Sequence, residues 1–148
     1  MTTSRCEGQD GMRIGIVAAV VVNPAGEMLL VRKRGTAAFM QPGGKPVGSE
    51  SYLATLEREL DEELGCRLEI SCCRALGTYS APAANEPGWT VDAELFAVTL
   101  AGTVRPSAEI EEAIWIDPDA EPSIQLAPLT RRHALGLARD LKLRAMRI

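Results

Sequence analysis

Histidine is nearly absent from this chain of 148 residues, and the four cysteines form no C-x-x-C pair. With only His133 beside Cys6, Cys66, Cys72 and Cys73, no Cys/His zinc framework can be assembled. The cysteines read instead as buried or idle thiols in a reducing cytosol. A basic excess is missing too: 16 Lys and Arg stand against 20 Asp and Glu, for a net charge of −4. That argues against gripping a nucleic acid polymer, whose affinity rests on neutralising phosphates. A small anionic ligand is still admissible where metal or local cations offset its charge. No segment approaches the ~18 uninterrupted apolar residues of a membrane span, and the polar start MTTSRCEGQDG lacks a signal-peptide core. The expectation is a soluble, cytoplasmic protein without membrane contact. Aromatic residues make up only 4% of the chain, so each one placed in a loop carries information.

What is present suits one globular domain, residues 12–148, behind an aperiodic tail over residues 1–11. A β-branched run over 13–22 predicts a strand buried on both faces. The turn NPAG then leads to a returning strand over 27–34, which predicts a hairpin that starts a sheet. Glycine and proline make 35–49 a loop. Residues 50–64 have the helical period, with Ser49 as the expected cap and Gly65 closing the end. Leu53, Leu56, Leu60 and Leu64 form its apolar stripe. Further strands are expected over 67–79, with a bulge at Gly77, over 90–100 with alternating burial, and over 110–116. A second amphipathic helix is expected over 129–141, with His133 packed or exposed rather than ligating. Strands and helices mix without strict alternation, which favours an α+β fold with a mixed sheet packed between helices.

One local pattern conflicts with simple helix stability. Glu59, Glu62 and Glu63 fall three and four residues apart, so a helix stacks them on one face. Like charges so placed cost roughly 0.2–0.5 kcal/mol per pair. Something cationic is expected there. Mg2+ is hard, prefers octahedral oxygen, and commonly combines a few carboxylates with water and phosphate oxygens. Two other phosphate or metal motifs are excluded. Phe39 stands where the first glycine of a P-loop belongs and Pro46 follows the lysine, and no EF-hand spacing occurs.

The stretch 43–66 reads GGKPVGSESYLATLERELDEELGC. Its spacing runs from Gly44 through five residues to Glu50, through seven to Arg58-Glu59-Leu60, then Glu62-Glu63, Gly65 and an apolar Cys66. At every fixed position it resembles the signature box of the Nudix hydrolase superfamily, of which MutT is a type. The order of elements outside the box resembles the family over most of residues 13–142. The resemblance implies the Nudix fold, an α/β/α sandwich with a central mixed β-sheet and a loop-helix-loop that binds divalent cations. It implies hydrolysis of a pyrophosphate bond in a nucleoside diphosphate linked to another moiety, by water attack on phosphorus. The metal would be Mg2+, with Mn2+ an alternative, held by Glu59, Glu62 and Glu63 and completed by the carbonyl of Gly43 and the carboxylate of Glu50.

By the same resemblance Arg58 orients the catalytic carboxylates; an ordinary helix ion pair is the competing reading. The base is either Glu59 or a loop carboxylate, for which Glu109, Glu111 and Glu112 are candidates, Glu112 first. Arg32 and Arg34, on one face of the second strand, and Lys45 are candidate phosphate contacts, against a solvated strand face and loop. Phe39 and Trp89 are candidate stacking partners for a base, against loop aromatics that cover the core. Two substrate classes stay open: nucleoside triphosphates, and the ADP-ribose or nucleotide-sugar type, to which Pro82 bears a resemblance. The partner is a small nucleotide, and a homodimer is compatible with the pattern. The rival is a Nudix fold kept as a binding or regulatory module without turnover. Such modules usually lose box carboxylates, and this chain has lost none. A third reading, an acidic helix holding structural Ca2+, predicts stabilisation without hydrolysis.

Overall fold

A β-branched run with no polar interruption can be buried on both faces, and β1 (Arg13–Val21) is so over Val17–Val21, its first four residues being partly or fully exposed. In the computed structural model, which describes residues 12–146, its side chains divide between two cores. Val17, Ala19 and Val21 join one, with Leu56, Leu60 and Leu64. Ala18 and Val20 join the other, with Leu135 and Ala138. The strand β2 (Met28–Lys33) divides in the same way, Leu29 and Val31 against Met28 and Leu30. Helices therefore cover both sides of the strands.

The principal sheet has the order β3-β1-β6-β5, with β3 at Gly43–Gly44, β5 at Arg74–Pro82 and β6 at Thr90–Val98. β1 runs parallel to β6, and the other pairs are antiparallel. The sheet is thus mixed, as expected. A separate two-stranded sheet joins β2 to β8 (Ile110–Ile116), and a shorter one joins β4 (Arg67–Leu68) to β7 (Leu100–Ala101).

The expected hairpin does not form. Only an isolated bridge, Val22 to Met28, links the two strands beyond the turn. Both edges of β1 are occupied, by β3 and β6, so β2 leaves to pair with β8. The loop expected over 35–49 consequently contains a strand. The long strand expected over 67–79 is broken by a 3-10 turn at Ile70–Cys72, although the register does shift between Ala75 and Gly77. β6 alternates as expected over Asp92–Leu95, but from there Leu95, Phe96, Ala97 and Val98 are all buried, as suits an interior strand. The predicted tail lies outside the described residues.

The helix α1 (Tyr52–Leu64) starts two residues later than predicted, and its cap is Ser51 rather than Ser49. The Ser51 hydroxyl accepts from the Ala54 N–H at 3.2 Å, satisfying a first-turn donor. Gly65 ends the helix in the left-handed conformation at φ 67°, as the sequence requires. Leu56, Leu60 and Leu64 are fully buried. Each contributes roughly 1.5–3 kcal/mol by leaving water, and together they fix the direction in which the box carboxylates point. The closing helix α2 (Leu135–Met146) follows a wide turn at Thr130–Ala134. Among the described residues no helix is long and apolar enough to cross a membrane.

Candidate active site

β3 is short because glycine is what lets it approach. A Cβ at Gly43 would lie 2.2 Å from the Val17 carbonyl oxygen, and one at Gly44 would lie 2.4 Å from the Glu59 Cδ. The diglycine is therefore pressed between β1 on one side and a box carboxylate on the other. The Gly43 N–H donates to Glu63 Oε1 at 3.2 Å. Glu63 is 3% exposed. Burial, seconded by repulsion from Glu59, pushes its carboxyl up to about 8, against the opposing pull of the Gly43 N–H. A carboxylate so placed is short of positive charge.

Arg58 organises the other acids. Its Nε and one terminal nitrogen donate to the two oxygens of Glu50 at 2.7 and 2.9 Å. The remaining nitrogen donates to Glu59 at 2.9 Å and Glu62 at 3.2 Å, and a further bond reaches the Lys45 carbonyl at 3.0 Å. The helix ion pair and the orienting contact are thus both present. Glu50 also accepts from the Val47 N–H and the Thr55 hydroxyl. Arg58, ahead of these donors, holds the Glu50 carboxyl down at about 2. With donors on both oxygens, Glu50 anchors Arg58.

The three helix glutamates do not share one direction. Glu63 turns in to β3, Glu59 lies on Gly44, and Glu62 is half exposed and drawn toward Arg58. Among the described residues, no three His, Cys, Asp or Glu side chains stand together as a ready-made metal site. The donor set still suits a hard cation. It consists of carboxylate oxygens, one of them buried and short of positive charge.

A cleft of about 380 Å³ opens beside Glu59, lined also by Gly43, Gly44, Lys45, Lys33 and Glu109. The loop carrying Glu109 is held by the end of α1. The Arg105 and Ser107 N–H groups donate to the Leu64 and Glu63 carbonyls, and the Ser107 hydroxyl to that of Glu62. These bonds satisfy helix-terminal acceptors and bring the loop alongside the carboxylates. Lys33 pairs with Glu109 at 3.5 Å.

Several sequence candidates lie elsewhere. Arg32, in β2, pairs with Glu112 at 2.8 Å, and Arg34, in the turn just after β2, pairs with Glu111 at 2.7 Å. Phe39 is 7% exposed, bridges to Leu126 and lies under the Arg32 guanidinium, so it cannot stack on a ligand. Trp89 closes the loop after β5, while Ala84, Asn85 and Glu86 of that loop line the cleft instead. His133 packs against Tyr79 and reaches the Ser80 carbonyl at 3.1 Å, as expected of a packing residue. The sequence reading missed Lys33, although strand alternation between Arg32 and Arg34 already assigned it to the other face.

Comparison with known proteins bears on this arrangement. The family model described as NUDIX domain matches residues 12–138. The chain belongs to the Nudix hydrolase family. Among solved structures, a MutT Nudix hydrolase from Burkholderia pseudomallei is 23% identical with a TM-score of 0.67, over 86% of this chain and 96% of that one. A MutT protein from Methanosarcina mazei Go1 is also 23% identical at a TM-score of 0.67, over 87% and 94%. These likenesses show the fold, as expected from the box and the order of elements. No curated protein matches the chain.

Proposed function

We propose that this Nudix hydrolase cleaves the pyrophosphate bond of a nucleoside diphosphate linked to another moiety, in a reaction that depends on Mg2+ or Mn2+. The observation that carries the proposal is the position of Glu59 and Glu63 against the Gly43–Gly44 strand at the edge of a cleft. Glu59, Glu62 and Glu63, with the Gly43 carbonyl, would hold the cation. Once bound it neutralises phosphate charge and acidifies a water for attack on phosphorus.

The remaining work falls to the chain itself. Arg58 keeps Glu59 and Glu62 from splaying apart. Lys33 and Lys45 offer positive charge to the phosphates from the cleft wall. Glu109 is the loop carboxylate in the cleft, with Glu111 and Glu112 committed to arginines. We therefore place the proton-accepting role on Glu109, with Glu59 the alternative. The two products are a nucleotide and a phosphorylated remainder.

The test is release of nucleotide or phosphate from a panel of nucleoside triphosphates, ADP-ribose and nucleotide sugars with Mg2+ or Mn2+. Wild type is expected to turn over at least one member, with Glu62→Gln and Glu63→Gln slowed about a hundredfold or more. Absence of turnover on every member, with wild type and variants alike, would leave a binding module and end the hydrolase reading.

A further inference from the structure

Gln41 stands two residues before the diglycine, in the chain that runs from β2 to β3. It is 6% exposed. Its Oε1 accepts from the Thr130 hydroxyl at 2.9 Å, while its Nε2 is buried and, among the described residues, has no hydrogen-bond partner. A buried amide donor left unpaired is a cost that native structures rarely carry without a use.

Gln41 lines a narrow recess of about 60 Å³, walled by Ile16, Ala18, Pro82, Val91, Ala127 and Leu129. Gln41 is the one polar side chain among the residues around it. A water there would find no second polar side chain among the described residues that line the recess. What matches the recess is an apolar-faced group with a single acceptor at its edge. Ile16, Met40, Ala84 and Val91 line both this recess and the cleft beside Glu59, so the two adjoin. The recess admits the edge of a ring rather than a whole ring, and Met40, unbranched and at the junction, can adjust its mouth.

We propose that Gln41 determines base specificity, its Nε2 donating to a carbonyl on the edge of the substrate's nucleobase. The proposal rests on the hydrolase reading above, because it takes the phosphates of the same molecule to lie beside Glu59. Thr130 is the positioning residue: by donating to Oε1 it keeps the amide turned so that a donor, not an acceptor, meets the ligand. Carbonyl-edged bases such as uracil and hypoxanthine are accepted. Their amino-edged counterparts, cytosine and adenine, bring donor against donor.

The experiment compares kcat/KM for UTP against CTP and for ITP against ATP, pairs that exchange a carbonyl for an amino group on one edge. Wild type is expected to prefer the carbonyl member by about tenfold or more. Gln41→Leu loses the preference by slowing the preferred member, and Thr130→Val weakens it by freeing the amide to rotate. Turnover with less than about threefold discrimination overturns the proposal and leaves the hydrolase reading intact, and needs no variant to fold. A preference unchanged in a folded Gln41→Leu also overturns it. If nothing is turned over, the Gln41 side-chain NH2 resonances are followed by NMR during titration with UMP and with CMP. A shift with UMP alone supports the base pocket although the hydrolase reading has failed; no shift with either overturns both.

Discussion

Arg58 and Glu50 are joined by two parallel charge-assisted hydrogen bonds, 2.7 and 2.9 Å long, across the start of the box helix. The pair fixes a guanidinium that then reaches Glu59 and Glu62. Paired bonds of this kind set direction as well as energy. Glu50→Gln is therefore expected to lower kcat by about tenfold, through a mobile Arg58, while the Mg2+ concentration giving half-maximal rate stays within twofold. A large rise in that concentration would instead place Glu50 among the metal ligands. Steady-state rates over a Mg2+ titration decide between the two.

The diglycine offers a contrast between neighbours. At Gly44 the atoms nearest to an added methyl belong to the end of the Glu59 side chain, which can swing away. Gly44→Ala should keep its melting temperature within a few degrees and lose about a hundredfold in kcat by displacing Glu59. At Gly43 the methyl meets the Val17 carbonyl at 2.2 Å, and the residue sits at φ 151°. Gly43→Ala should cost roughly 3 kcal/mol, or about 10 °C in melting temperature, because backbone must move. Thermal unfolding and rates on the same two variants check both halves, and an equally unstable Gly44→Ala would refute the distinction.

How much of this was legible in the sequence follows from how far each feature depends on distant pairing. The box carboxylates and the leucine stripe were readable because one helix converts spacing directly into direction. Ser51 was missed as the cap because a serine on either side of Glu50 satisfies the same pattern, and Glu50 is outside the helix holding Arg58. The β1–β2 hairpin failed because local turn chemistry says nothing of β3 and β6 competing for the edges of β1. Glu109 and Glu112 are three residues apart and chemically alike. Only the bonds from Arg105 and Ser107 to the helix end decide that Glu109 enters the cleft. Phe39 read as a loop aromatic, and its bridge to Leu126, far along the chain, buries it.

Acid stability supplies a check on the sheet away from the cleft. Arg13 donates twice to Asp92 at 2.8 Å, and with the Ser80 hydroxyl it lowers the Asp92 carboxyl from 3.8 to about 2. A depressed acid adds stability above its unfolded value, and this is lost as pH falls through its folded value. The window is therefore about pH 4 down to pH 2. Both side chains are about one-third exposed, so solvent screening reduces the contribution to about 1 kcal/mol. Asp92→Asn should be less stable than wild type by that amount at pH 7, with the gap closing below pH 4. Urea midpoints from pH 7 to 2.5 measure it, and a gap constant with pH would show that the charge is not its source.

The three loop glutamates can be separated by rate alone. Glu112 holds Arg32 of β2 and Glu111 holds Arg34 just beyond it, both at the surface, so neutralising either removes a partly exposed ion pair worth little. Glu111→Gln and Glu112→Gln should retain kcat within about twofold. Glu109 shares the cleft with Glu59 and pairs with Lys33, and general-base removal typically costs 10²–10⁴-fold. Glu109→Gln should accordingly lose about a hundredfold in kcat, with KM little changed and the acidic limb of the rate profile flattened. A purely structural role for Glu109 would lower stability without altering the shape of that profile. If Glu109→Gln keeps full activity and Glu59→Gln removes the limb, the base is Glu59, and the loop serves only to close the cleft around the phosphates.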